Sequence, residues 1–473
     1  MWDKMINRLH IADVLKDDKL RFLRVLWCDN GNVIRSKVIH LPSFKRHLLN
    51  RGMEELRSEE FIYKLEQALV NTQALQAIDA GLDEPVPEAG LEPVKELRLV
   101  PDWSTLTMLP YAPGHAVTLG NFMLDSVTEP WELCSRGLLK RTVKRAEDSG
   151  YDVMCGAEIE FFLFDGAPFR EKGALEPVDR DAYAQNAAFE VSRELIDDIA
   201  DTLYEMGIEL AYYNPESGPG QHEIFIHYSD PLALSDRIVY MREAIRSLAL
   251  QYGVIASFMP KIFQEATGNG CHIHMSIWKN GQDALGDGKG NWGLSQAGES
   301  YVAGVLEHLP ALMALTTPTP NSYKRIQPKF WSGAFKVWGL DNKEAAIRVL
   351  MNPFGGGPKQ FELKPVDSSA NPYIALTGII AAGLDGVSNN MKLGEPLQRD
   401  PGNLSEEERK ELGVELLPTD LEKALAALRK DEVLKSAFGK RYYEVYDAVK
   451  RFEHEERGDY DLEKERSMLL TRY

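Results

Sequence analysis

The chain has 473 residues, is 44% hydrophobic and 27% charged, and sets 54 Lys and Arg against 72 Asp and Glu for a formal net charge of −18. That composition fits a soluble globular protein of two or three domains, and the acid surplus argues against nucleic acid or an anionic membrane as a partner. Four cysteines, Cys28, Cys134, Cys155 and Cys271, form no C-x-x-C pair and are too few for a disulfide framework, which suits a reducing cytoplasm. The opening MWDKMINRLHIADVLKDDKL has no apolar core of signal-peptide length, and the longest apolar stretch, Tyr373 to Gly383, is too short to span a bilayer.

Residues 21–40 read as a strand hairpin: RFLRVLWCD and NVIRSKVIH alternate, with Asn30-Gly31 as a two-residue turn between them. Residues 42–70 read as helical, and the Gly-, Pro- and acid-rich stretch 79–93 as a loop. LRLVPDWSTLTMLPYAPG follows as a strand leading into a turn, so residues 1–110 form a small strand-rich unit. Beyond it, 131–150 and 186–207 are amphipathic helices. Strand-like runs follow in YDVMCGAEIEFFLF, HEIFIHY, CHIHMSIW, AAIRVL and FELKPV, separated by long helices at 230–252 and 370–390. The tail from Ser405 is charged and helical, with Pro418-Thr419-Asp420 as a start signal. Residues 111–473 thus form a large α+β unit, with no internal repeat or low-complexity tract.

The chemistry lies in the second unit. Glu158 and Glu160 of GAEIEFFLF point to one face of a strand whose other face is apolar. Two such carboxylates repel unless a divalent metal, an arginine pair or an exposed rim relieves them. In NPESGPGQHEIFIH, Glu216 sits on a Gly/Pro loop and Glu223 at a strand start; an ordinary turn with a polar strand face reads equally well. In GNGCHIHMS, His272 and His274 share a strand face, the usual way to present imidazoles to a metal or a phosphate, and the flanking glycines permit close backbone approach. NSYKR, with Arg325, and DNKEAAIR, with Lys343 and Arg348, place cations near turns and strand ends, where they serve phosphates, carboxylates or plain salt bridges. FELKP adds Glu362 within an apolar strand. Glutamates plus histidine without cysteine suit Mg²⁺ or Mn²⁺ better than zinc. Metals beside Arg and Lys are what phosphoryl transfer from ATP needs, and the chain carries neither a P-loop nor a kinase motif set.

Taken together, GAEIEFFLF, GPGQHE, GNGCHIHMS, NSYKR, the Asn342-to-Arg348 stretch and FELKPVDSSANPY, with LWCDNGNVIRSK and VPDWSTLTMLPYAPG upstream, resemble the glutamine synthetase family in order and spacing. The resemblance implies a β-grasp-like domain over 1–110 and a catalytic α+β domain over 111–473. It also implies a ring homo-oligomer, a dodecamer of two hexamers, with active sites between subunits. It implies ATP and two or more Mg²⁺ or Mn²⁺ ions per site: Glu160, Glu216 and Glu223 match the ligands of one metal, and Glu158, His272 and Glu362 those of a second. His274, Ser276, Lys343 and Arg348 match nucleotide contacts. Gly268, Arg325 and Lys364 match contacts to the amino-acid substrate, and Glu216 also faces substrate.

The resemblance breaks at Gln327-Pro328-Lys329-Phe330-Trp331-Ser332-Gly333, where Trp331 stands on a flap at the place of a family glutamate associated with ammonium binding and deprotonation. Tryptophan accepts no proton but stacks on a cation or an apolar substituent. Lys343 and Lys364 stand where arginines are usual and lack the bidentate fork. Asp79 and Asp83 are candidates for the loop aspartate that a neighbouring subunit contributes in the family. The reading that follows is an ATP-dependent ligase joining the γ-carboxylate of glutamate, through a γ-glutamyl phosphate, to a polyamine, a monoamine or an aromatic amine. The alternatives are a glutamine synthetase using ammonia and a non-catalytic scaffold or sensor.

Overall fold

The computed structural model describes residues 17–50, 68–71, 76–94, 96–124 and 129–473. Strand β1 (Phe22–Cys28) pairs antiparallel with β2 (Ile34–His40), as the alternation predicts. The turn is longer than the Asn30-Gly31 signal suggests and spans residues 29–33, with Asn32 at φ +58° and the Asp29 carboxylate accepting the Val33 amide at 2.9 Å. Gly31 serves packing instead, since a Cβ there would lie 2.8 Å from that of Ala80.

The helical reading of 42–70 is met only at its start, by α1 (Leu41–Leu49), and fails at its end, where residues 68–71 are a strand drawn into the sheet by pairing with the strand at 96–108; residues 51–67, like the leader reading of residues 1–16, lie outside the described residues. Strands β3 (Ala68–Asn71), β4 (Glu96–Met108) and β5 (His115–Met123) complete a five-stranded sheet in the order β2-β1-β5-β4-β3, with β1 and β5 parallel and every other pair antiparallel. The domain boundary drawn at 110 falls in the turn between β4 and β5. The sheet itself runs on to Met123, because β5 pairs with both β1 and β4.

The second unit opens with α2 (Ser135–Asp148), which leads into β6 (Asp152–Asp165). Helix α3 (Asn186–Glu205) precedes a tight pair, β7 (Leu210–Pro215) and β8 (Gln221–Ser229), and α4 (Pro231–Gln251) leads to β9 (Val254–Ser257). Strands β10 (Cys271–Lys279) and β11 (Gln282–Asp283), helices α5 (Gln296–Thr316) and α6 (Pro320–Arg325), and strands β12 (Trp338–Leu340), β13 (Ile347–Met351) and β14 (Pro358–Leu363) follow. The sheet they build runs β12-β13-β14-β10-β6-β8-β7, with β11 beside β10 and β9 beside β6. Its central strand β6 buries Phe161 to Phe164 completely, which explains the unbroken apolar run there.

Helix α7 (Pro372–Ser388) packs on α5 at close range: a Cβ at Gly304 would fall 2.3 Å from the Ala382 carbonyl. Helix α5 goes beyond the sequence reading, since Pro310 and two glycines mask its period. Helix α8 (Leu421–Lys430) starts where the Pro418-Thr419-Asp420 signal places it, with the Asp420 side chain accepting the Lys423 amide at 2.8 Å. Helix α9 (Lys440–Arg457) packs against the first unit, where Arg457 meets Asp79, and α10 (Leu462–Leu469) closes the chain. All four cysteines are free and buried, and among the described residues no helix is long and apolar enough to cross a membrane.

Candidate active site

One face of the large sheet carries the acids, and register explains why. Arg348 on β13 stands opposite Glu362 on β14, Glu362 opposite His274 on β10, His272 opposite Glu158 on β6, and Glu160 opposite Glu223 on β8. Side chains alternate along a strand, so residues of matching parity on neighbouring strands gather on one surface. His222, one residue off that parity, points into the core, bonds Tyr213 and packs on Phe161.

This surface floors a cavity of about 290 Å³. Glu158, Glu160, Glu216, Glu223, Glu362 and His272 line it, with Arg325, Lys343, Arg348 and Lys364 as its cations. Gly268, Thr267 and Asn214 form part of the wall, and Tyr183, Tyr212, Phe330 and Trp331 supply the aromatic part. His274 and Ser276 do not line it. His274 lies behind Glu158, with Nε2 3.0 Å from Oε1, and the Ser276 hydroxyl accepts the Trp278 indole N–H at 3.0 Å.

The acids divide electrostatically into two groups. Glu362 meets Lys364 Nζ at 3.0 Å and Arg348 Nε at 2.6 Å, the latter an ion pair rather than an aligned hydrogen bond. Burial pushes Glu362 up, but Lys364, the two histidines and Arg348 outweigh it and hold the carboxyl at about 2. Glu158 is likewise pushed up by burial and pulled further down by hydrogen bonds with His272 and His274, so it stays well below the usual carboxylate range. Burial and Lys364 push His272 down to about 4, leaving a neutral imidazole with a free lone pair at pH 7.

In the other group burial wins: Arg325 and Lys364 offset it only in part at Glu160, and Lys343 only in part at Glu216. Burial, then Glu216, pushes Glu160 up to about 7; burial, then Glu160, Glu158 and Glu216, pushes Glu223 up to about 9; Glu216 is raised by burial. Acids crowded in a low-dielectric cleft and not fully compensated by nearby cations are what a divalent ion relieves. Two donor sets have atoms close enough to hold one, Glu158/Glu223/His272 and Glu158/His274/Glu362; these cut across the expected Glu160/Glu216/Glu223 and Glu158/His272/Glu362 sets, and Glu160 and Glu216 belong to neither. Hard oxygen donors with a neutral imidazole fit magnesium or manganese.

The amino-acid side of the cavity is built around Arg325. Its Nη2 donates to the Lys364 and Val366 carbonyls at 3.0 and 2.6 Å, fixing the guanidinium, while its Nε has no partner. Gly268 is glycine for a packing reason as well: a Cβ there would sit 2.3 Å from the Pro260 carbonyl and 2.8 Å from Arg325 Cγ. Gly270 leaves room for the His272 ring, which a Cβ would approach to 2.5 Å.

Several residues in or behind the cavity wall escape the sequence reading. Tyr212 donates to Glu158 at 3.0 Å from β7, and Gln221 holds Glu160 at 3.1 Å. Parity on β7 and β8 could have pointed to Tyr212, but Tyr183 comes from an irregular segment with no pattern to read. Asp79 and Asp83, the candidates for a residue reaching a neighbouring subunit's site, lie away from this chain's own cavity. Asp79 is buried against Arg457, and Asp83 pairs with Arg35 at 2.8 Å.

A sheet face bearing metal-type donors, with arginines and lysines at its rim and a fixed guanidinium beside a glycine wall, defines a metal- and nucleotide-dependent ligase. The family described as "Glutamine synthetase, catalytic domain" matches residues 132–468. The Dictyostelium discoideum protein named "Type-1 glutamine synthetase 1" is 32% identical over 93% of this chain and 87% of its own length. "Gamma-glutamylpolyamine synthetase GlnA3" of Streptomyces coelicolor is 36% identical over 73% of this chain and 74% of its own, and "Glutamine synthetase" of Methanocaldococcus jannaschii is 36% identical over 76% and 79%. Among solved structures, "Crystal structure of novel glutamine synthase homolog" superposes with a TM-score of 0.80 at 26% identity, covering 97% of this chain and all of that one. "GmaS/ADP complex-Conformation 1" superposes at 0.79 and 26%, covering 97% and 98%. The chain belongs to the glutamine synthetase family and is an ATP-dependent carbon–nitrogen ligase.

Proposed function

We propose that this ligase joins the γ-carboxylate of glutamate to an organic amine, a polyamine, monoamine or aromatic amine, in preference to ammonia. The observation that carries this reading is Trp331. Its indole lines the cavity, half-exposed, edge-on to Tyr183 with ring centroids 6.1 Å apart. An aromatic wall favours a carbon-bearing or delocalised cation over a bare ammonium ion, which needs compact hydrogen-bond acceptors. The likeness to a relative named for γ-glutamylpolyamine synthesis supports it.

In this mechanism Arg325 and Gly268 hold the α-carboxylate end of glutamate, with Lys364 beside them. Arg348 and Lys343 grip the ATP phosphates, and His274 and Ser276 stand behind the nucleotide side. Two or more Mg²⁺ or Mn²⁺ ions, one held by Glu160, Glu216 and Glu223 and another by Glu158, His272 and Glu362, would supply charge neutralisation between the γ-phosphate and the attacking carboxylate. Phosphoryl transfer gives a γ-glutamyl phosphate, and the flap carrying Phe330 and Trp331 keeps water from it. The amine enters as an ammonium ion. Glu216, a half-buried carboxylate on a lining loop, would take its proton through its oxygen turned away from the metal, before attack on the acyl carbon expels phosphate. A dodecameric ring of two hexamers in the cytoplasm goes with this reading.

Phosphate release and γ-glutamyl amide formation with ATP, Mg²⁺, glutamate and a panel of amines, ammonium included, test it. Strong turnover with one organic amine and little with ammonium is expected. Equal or better use of ammonium would establish glutamine synthetase, the reading favoured by the equally similar M. jannaschii relative. No ATP turnover with any amine would point instead to a scaffold or sensor.

A further inference from the structure

The flap bearing Phe330 and Trp331 is held in two places. At its base the Ser332 hydroxyl accepts the Gln327 amide at 2.9 Å and donates to the Gln327 carbonyl at 2.8 Å, closing the loop on itself. At its tip the buried Glu344 carboxylate accepts the Trp331 amide at 3.1 Å, and the Lys329 backbone amide also stabilises it. Glu344 is itself fixed, because its amide donates to Asn342 Oδ1 at 3.1 Å, and Asn342 is tied to the Leu397 carbonyl at 2.7 Å.

The flap conformation needs such a hold. Lys329 and Trp331 both adopt left-handed backbone, at φ +68° and +52°. Residues with bulky side chains avoid that region and stay there only where the surroundings over-determine them. With Lys329 and Trp331 left-handed on either side of Phe330, both their amides reach Glu344 while both aromatic rings line the cavity. An acid converging on those amides makes the turn the favoured state, since hydrogen bonds to a charged acceptor are among the strong ones.

We propose that Glu344 is a positioning residue: its carboxylate clamps residues 327–332 closed over the cavity, so that water stays out while the acyl phosphate waits for the amine. The proposal rests on the ligase chemistry alone and holds for ammonium and organic amines alike. Loss of one charge-assisted hydrogen bond shifts the closed–open balance of the flap by about tenfold or more.

The test compares Glu344→Ala and Glu344→Gln in the full-length enzyme, using whichever amine or ammonium gives most product. Phosphate released per amide formed is expected to rise severalfold in Glu344→Ala, as the intermediate is lost to water. The KM for the amine should rise with it, while the KM for glutamate and ATP stays put. Glu344→Gln keeps an oxygen acceptor for the amides and should restore most of the coupling. Trypsin cleavage after Lys329 gives a second readout that needs no turnover: it should be faster in Glu344→Ala than in wild type and intermediate in Glu344→Gln. Equal damage in both variants with tight coupling retained would make Glu344 a proton-transfer group rather than a clamp and overturn the proposal. Unchanged coupling together with unchanged cleavage would overturn it as well.

Discussion

Glu160 on β6 and Glu223 on β8 stand directly opposite each other across the sheet, two buried carboxylates on one face. Both are raised, to about 7 and about 9, first by burial and then by neighbouring acids. A carboxyl raised on folding binds more protons in the native state than in the unfolded chain. Its stabilisation is therefore complete below the ordinary value near 4.5 and is lost as pH rises through 7 and 9. The metal-free protein should lose stability from about pH 4.5 up to 9, with both carboxyls contributing below 7 and Glu223 alone above it, by up to about 1.4 kcal/mol per pH unit for each proton involved. Saturating Mg²⁺ or Mn²⁺ should flatten that slope, and metal affinity should climb over the same window as protons leave. Thermal unfolding against pH, with and without metal, measures both effects; a slope that metal leaves unchanged would refute this account of the pair.

Glu160→Ala and Glu362→Ala should each abolish turnover. The first removes a donor from the raised group. The second takes away a donor and also releases Lys364 and Arg348, both fixed on Glu362. Charge stabilisation of several kcal/mol is at stake, so kcat should fall by about three orders of magnitude or more. Isothermal titration with Mn²⁺ should show weakened binding in both variants. Near-normal rates in either would remove that residue from the metal set.

Alternation on β6, β8, β10 and β14 made the donors legible, because register turns matching parity into a shared face. What stayed hidden depends on tertiary contacts. Tyr183 approaches from a segment without periodicity, and Glu344 meets the flap only through the backbone amides of residues 329 and 331, which any residue but proline would supply. Composition cannot tell that His274 stands behind Glu158 while His272 lines the cavity, since both lie on the same strand face. Helix α5 was masked by its own proline and glycines, which packing against α7 makes tolerable.

Trp331 makes a separable prediction about choice of amine. Trp331→Ala removes the aromatic wall but leaves its backbone amide for Glu344. A cation–π or stacking contact is worth about 0.5–1 kcal/mol when exposed and about 2 kcal/mol when the bound amine desolvates it, so kcat/KM for the preferred organic amine should fall about tenfold, and that for ammonium should change little. Trp331→Glu should raise ammonium use, by returning a proton acceptor to the flap. Competition kinetics with paired amines measure the ratio directly. A ratio unmoved by both substitutions would show that the indole takes no part in selection.

The pairing of Asp79 with Arg457 makes a prediction about stability rather than catalysis. These residues lie far apart in the chain, and both are buried. Arg457 also approaches Glu453 at 3.6 Å, and Glu453 is bonded to buried Lys450 at 2.8 Å, so α9 carries a desolvated network into the loop of the first unit. Gly81 sits against the guanidinium, with space for a Cβ only 2.5 Å from Nη1. Removing one partner of a buried pair strands the other charge, which costs about 3–5 kcal/mol, whereas replacing both by apolar groups can be close to neutral. Arg457→Met should therefore destabilise strongly, and Asp79→Leu combined with Arg457→Met should recover much of the loss. The folded fraction of each variant should keep its affinity for metal, since neither residue lines the cavity. Denaturant unfolding of the two single variants and the double variant isolates the coupling. A double variant no more stable than the sum of the singles would mean that the pair is held by its surroundings rather than by mutual charge.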